Sequence, residues 1–135
     1  MIAYPPGWHT VGGDRGTASA ALLDGHGHYL GYLNLTPRQG AETLASWPTF
    51  RLSHNVAEGD RAVKFDAAAG DLLFRTGRGT CVRDAYTTSA NTRYVEIACL
   101  VAGSYATSVV VGAASREHWT QERSAIEQAI SALVT

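Results

Sequence analysis

Two cysteines, Cys81 and Cys99, are the only ones in the chain. They flank a polar turn, and this constrains the fold more than any other local feature. The segment from Thr80 to Thr88 alternates in character, Ser89-Ala90-Asn91-Thr92 breaks the pattern, and Arg93 to Val101 resumes it. Folded about Ala90 as an antiparallel hairpin, the chain sets Cys81 directly opposite Cys99. Opposed Cα atoms in such a pair lie about 4.5 to 5.5 Å apart, and a disulfide needs roughly 4.4 to 6.8 Å. A Cys81–Cys99 bridge is therefore expected, and it points to an oxidising compartment.

The same register opposes Asp84 to Glu96 and Tyr86 to Tyr94. Two opposed carboxylates repel, and such a pair is the raw material of a general acid. A register off by one, or a neutralising Arg83 or Arg93, would make the pair unremarkable. The two tyrosines offer large contact area with few rotatable bonds, which suits a binding surface. Tyr86 and Tyr94 are accordingly the candidate binding residues, and an ordinary sheet face is the alternative.

Other β signals surround this hairpin. Ala18 to Leu23 and Tyr29 to Leu35 read as strands joined at Asp24-Gly25, with Pro37 ending the second. Ala62 to Ala67 alternates, with Val63 and Phe65 on one face. Gly70-Asp71 reads as a turn, and Leu72 starts a strand that runs on toward Thr87, with glycines 77 and 79 marking a bulge. Gly103-Ser104 turns again, and Ala106 to Val111 is apolar and β-branched.

Two helices are expected. One lies near 38–47, with Ala41, Leu44, Ala45 and Trp47 inward, and Pro48 stopping or kinking it. Phe50 to Asn55 adds a short further turn. The second is C-terminal, capped by Ser115 with Glu117 in its first turn. Its stripe is Trp119, Ile126, Ala129, Ile130 and Leu133. The expectation is a single α+β domain over residues 1–135, with one antiparallel sheet of about six strands packed by the two helices.

At 135 residues and 45% hydrophobic content, the chain is long enough to bury a core of its own. Eleven basic and twelve acidic residues are spread without runs, so no nucleic-acid or anionic-membrane partner is indicated. No apolar stretch approaches the ~18 residues of a membrane span. Met1-Ile2-Ala3-Tyr4-Pro5-Pro6 lacks the form of a signal peptide. With the cysteine pair, this favours a mature extracytoplasmic domain, secreted or anchored through an N-terminal leader absent from this sequence.

Three chemical readings remain. Cys81 as a nucleophile, with His54 or His118 as base and Asp84 orienting it, would make a small hydrolase. A cysteine inside a strand lacks the helix N-terminus that lowers a thiol pKa. His26 and His28 beside Asp24 could chelate a metal from one strand face, but no third or fourth ligand is apparent. No cofactor motif is present: Gly77-Arg78-Gly79 is not followed by Gly-Lys-Ser/Thr, and Gly25, Gly27 and Gly31 do not fit a dinucleotide loop. The preferred reading is neither catalytic nor metal-binding.

Tyr4-Pro5-Pro6-Gly7-Trp8 at the start and Trp119 to Leu133 at the end bracket an early hairpin, one helix crossing and a strand meander. This order resembles the PsbP-like fold, shared by an extrinsic photosystem II subunit, a Ran-binding nuclear transport factor and actinobacterial LpqN-type lipoproteins. The segment from Gly31 to Gly40 also looks like that of small actinobacterial proteins. The resemblance implies an α/β/α arrangement and a non-enzymatic domain that binds an envelope protein or ligand. It supplies no site residue, and no photosystem-specific or Ran-specific feature is matched.

Overall fold

A computed structural model of the protein describes residues 2–38 and 40–133. Seven strands form one sheet: β1 (His9–Val11), β2 (Ala18–Leu23), β3 (Tyr29–Pro37), β4 (Arg61–Phe74), β5 (Gly77–Thr87), β6 (Arg93–Gly103) and β7 (Thr107–Ser115). Every neighbouring pair is antiparallel, in the order β1-β2-β3-β7-β6-β5-β4. Two helices pack on it, α1 (Trp47–Ala57) and α2 (Trp119–Ser131). The α+β class with a single antiparallel sheet is as expected. The strand beyond the expected six or so is the three-residue β1, too short to leave a period.

β3 and β4 follow one another in the chain but lie three strands apart in the sheet. The connection must therefore travel along a face, and α1 lies on that path. The strands alternate so strictly that both faces are apolar. On β6, Cys99 and Val101 face α2, together with Leu33, Val110 and Ala114 from β3 and β7. The intervening Ala98 and Leu100 face α1, with Val82, Val109 and Val111. Period-two burial on both sides explains the unbroken apolar runs in β6 and β7.

α2 behaves as its stripe predicts. Ile126, Ala129 and Ile130 are buried against the sheet, with Leu133 just beyond the helix. It sits low because β7 carries no side chain at Gly112, where a Cβ would lie 2.4 Å from Ile126 Cγ2. Its N-cap is His118 rather than Ser115, and the acid in its first turn is Glu122, with Glu117 lying ahead of the helix. Ser115 instead hydrogen-bonds the His118 ring through Oγ and Nδ1, 2.8 Å apart.

The first helix differs from expectation. It runs over Trp47–Ala57, not 38–47; the short turn expected over Phe50 to Asn55 lies within it, and Pro48 is among its first two positions. A first-turn proline sacrifices no hydrogen bond, because that N–H has no partner in any helix. Pro48 starts the helix that it was expected to stop. Gly70-Asp71 is likewise not a turn. β4 continues through it with a register shift, and Asp71 takes a φ of 52°. The reversal comes later, at Arg75-Thr76, so the long strand expected from Leu72 is two strands. Between β2 and β3 the residue with positive φ is Gly27, at 80°, not Gly25.

Candidate functional site

β5 and β6 pair as the cysteines require: Cys81 opposes Cys99, Asp84 opposes Glu96 and Tyr86 opposes Tyr94. Cys81 and Cys99 are bonded, with Cα atoms 4.1 Å apart, on the α2 face. A bonded sulfur is not a nucleophile. His54 stands on α1, across the sheet from it, within 3.6 Å of Glu58, and His118 is engaged by Ser115. The hydrolase constellation of Cys81, His54, His118 and Asp84 is therefore not assembled.

The metal reading also lacks its ligands. His26 and His28 sit on the β2–β3 turn, where the Asp24 carboxylate accepts the backbone N–H of each, at 2.7 and 2.9 Å. These backbone bonds, first that from His28, hold the Asp24 carboxyl below its usual pKa. Asp24 thus ties the turn together. Among the described residues, no group of three or more His, Cys, Asp or Glu converges on a metal position.

The opposed carboxylates lie on the α1 face. Asp84 and Glu96 are both fully buried. The cation that meets them is Arg51, delivered by α1: Nε donates to Glu96 Oε2 at 2.7 Å and Nη2 to Oε1 at 3.1 Å. One turn further on, Asn55 donates to Asp84 Oδ1 at 3.3 Å and to Glu96 Oε1 at 3.4 Å. Asp84 Oδ2 is buried without a partner. Burial and the neighbouring Glu96 charge push the Asp84 carboxyl up to about 8. Asp84 therefore carries its proton at neutral pH, while Glu96 faces Arg51.

Neither Arg83 nor Arg93 neutralises this pair. Arg83 reaches Asp66 instead. Arg51 lies in the turn expected over Phe50 to Asn55, but its partner Glu96 is 45 residues away and no local pattern joins the two. The spacing Trp47, Arg51, Asn55, four residues apart on one helix face, is the signal that finds it. Trp47 anchors that face, with Nε1 donating to the Ala98 carbonyl at 2.9 Å. Arg51, Asn55 and Glu96 spend their hydrogen bonds within the cluster beneath the helix, and Asp84 Oδ2 alone is left over.

Tyr86 and Tyr94 are cross-strand neighbours with ring centroids 6.0 Å apart. Tyr86 is not exposed: it is 6% accessible, and its hydroxyl meets that of Tyr32. Tyr32 reaches it across β7 because Ala113 is the residue between Tyr32 and Glu96 in the cross-strand row. Burial pushes both phenols well above their ordinary pKa. Tyr94 is half-buried and donates to the Tyr29 carbonyl at 2.9 Å. What these tyrosines border is open, however. A groove of about 600 Å³ runs past them, lined also by Lys64, Arg93, Val95 and Trp119. It is a cleft of the size that holds small ligands.

No protein-family model matches this sequence, and no curated protein is similar to it. Solved structures share its fold, among them a Pseudomonas and a Mycobacterium protein. PA94 of Pseudomonas aeruginosa, a protein of unknown function, superposes with a TM-score of 0.60 at 11% identity, covering 100% of this chain and 81% of its own. LpqN, involved in cell envelope biogenesis in Mycobacterium tuberculosis, superposes with a TM-score of 0.52 at 11% identity, covering 98% of this chain and 80% of its own. At such identity the likeness is one of fold, and this chain has the single-sheet α+β architecture of both.

Proposed function

We propose that this chain is a non-enzymatic extracytoplasmic domain of an exported or lipid-anchored bacterial protein. It binds an envelope protein or ligand at the sheet end bordered by Tyr86 and Tyr94, and belongs with the PsbP-like, LpqN-type domains. The observation that carries this reading is the Cys81–Cys99 bond across β5 and β6, because such bonds persist in oxidising compartments.

Three further observations support it. The chain's strongest polar cluster, around Arg51 and Glu96, is consumed internally. An open groove lies beside the tyrosines. A structural neighbour takes part in envelope biogenesis. No described helix is long and apolar enough to cross a membrane, so an anchor would have to come from elsewhere. The test is the thiol state in the native cell. Protein alkylated on lysis without reductant is expected to gain no label by mass, and two labels after reduction. Two labelled thiols without reductant overturn the reading.

A further inference from the structure

We propose that the groove between β4 and the start of α2 binds an anionic group, best a phosphate ester, carried on an apolar body. The inference deepens the binding reading above and rests on it for its biological setting. Its chemistry comes from three cations that lie far apart in sequence.

The sheet register brings them together. Lys64 opposes Ala85, which opposes Val95, which opposes Ala114. Val95 and its row therefore face the α2 side, where Ala114 is part of the core. One step along, Thr87 opposes Arg93. The β6–β7 register, ending at Tyr94 opposite Ser115, places Arg116 across from Arg93. The Arg116 N–H donates to the Arg93 carbonyl at 3.0 Å. Small residues thus form the floor, with Lys64 on one wall and Arg116 and Trp119 on the other.

The charges in this groove are unbalanced. Arg51, Arg78 and Arg123 each hold a carboxylate elsewhere, and Arg83 holds Asp66 at the edge of the groove itself. Among the described residues, Lys64, Arg93 and Arg116 hold none, although the chain as a whole has a net charge of −1. Of the acids nearby, Asp66 is taken by Arg83, Asp84 is buried on the α1 face, and Glu117 lines a hollow together with Arg93 and Arg116 but forms no ion pair with either. That hollow, of about 900 Å³, shares Arg93 and Arg116 and adds His28 and His118.

Like charges placed directly opposite one another destabilise a sheet. Arg93 facing Arg116 is such a pair, and a bound anion relieves it. Guanidinium forks match phosphate oxygens bidentately. Two forks and an ammonium supply more charge than one carboxylate neutralises, which favours a phosphate dianion. Val95 and Trp119 give the apolar part of the ligand its surface.

Phenyl phosphate titrated into the full chain, followed by amide and indole NMR shifts, tests the site. Saturable shifts at Arg93, Arg116 and the Trp119 indole are expected, weakening as salt rises. Arg93→Gln/Arg116→Gln is expected to fold with an unchanged or higher Tm and to bind about tenfold or more weakly. Lys64→Gln, on an exposed edge strand, gives a second and smaller loss. Flotation with vesicles containing phosphatidic acid, a phosphate monoester, against phosphatidylcholine vesicles separates the sources. Binding to the soluble ester alone assigns a free phosphate compound, and binding to anionic vesicles assigns a lipid headgroup. Equal binding by wild type and the double variant overturns the site, as does wild-type indifference to both probes. Either failure leaves the thiol test standing, and free thiols in the cell would leave a positive titration standing.

Discussion

The two faces of the sheet are built from the same strands and held by different means. On the α2 face, β5 and β6 present Cys81, Ile97 and Cys99, and the helix descends onto Gly112 with apolar contacts alone. On the α1 face the helix also buries an apolar residue, Trp47 among Val82, Ala98 and Leu100, but beside it stand Asp84 and Glu96, met by a guanidinium and an amide. A one-residue step along a strand thus adds charge to dispersion. The apolar face tolerates loss gradually, through cavities. The charged face fails abruptly when one partner goes, because a buried ion without its counter-ion keeps its full desolvation cost.

The sharpest way to break this contrast is Arg51→Met. Glu96 is then left buried without its cation, and urea unfolding is expected to show a loss of about 3 to 5 kcal/mol. Arg51→Met/Glu96→Leu is expected to recover most of that loss, since apolar replacement of a whole buried pair is often neutral. A double variant as unstable as the single one would mean that the ion pair is not what holds α1.

On the opposite face, Cys81→Ala/Cys99→Ala is expected to cost about 3 kcal/mol from a closed loop of this length. Chemical denaturation of oxidised against reduced wild type gives the same comparison without a substitution. Gly112→Val comes next. It drives methyl groups into Ile126 and is expected to cost about 1 to 3 kcal/mol by overpacking. A fully stable valine variant would show that α2 is free to lift.

The finest distinction is one of pH. Asp84 ionises near 3.8 when unfolded and near 8 when folded, so the folded state holds the extra proton. Stability therefore falls as pH rises from about 4 to about 8 and levels off beyond. Asp84→Asn removes that dependence. Between pH 7 and 8 wild type is expected to lose about 1 kcal/mol relative to the asparagine variant. Parallel pH profiles would place Asp84 in a far wetter setting than its burial suggests.

These contrasts were unequally legible in the sequence. The β5–β6 register could be read because two cysteines, two carboxylates and two tyrosines all agree on one turn. α2 could be read because Ile126, Ala129, Ile130 and Leu133 hold one stripe. The α1 helix was misplaced because Pro48 has two meanings, a stop inside a helix and a start at its first turn, and local sequence does not choose between them. The Asp84–Glu96 opposition was visible, but its resolution by Arg51 was not, because that contact spans 45 residues. The groove cations were invisible for the same reason. Lys64, Arg93 and Arg116 meet only through three successive pairings among four strands.

The position of the disulfide also bears on the order of events in folding. β4, β5, β6 and β7 are joined by short turns and can pair by local closure, which is the least costly step for a chain. β3 must instead find β7, joining Pro37 to Ser108 across most of the sequence. Pairings at such separation are slow, and they set the pace of β-rich domains. The Cys81–Cys99 bond closes one of these local hairpins, leaving the distant search by β3 unaided. Oxidation before folding would therefore give a nascent chain a ready template strand, and export through an oxidising compartment would hasten nucleation more than it hastens completion.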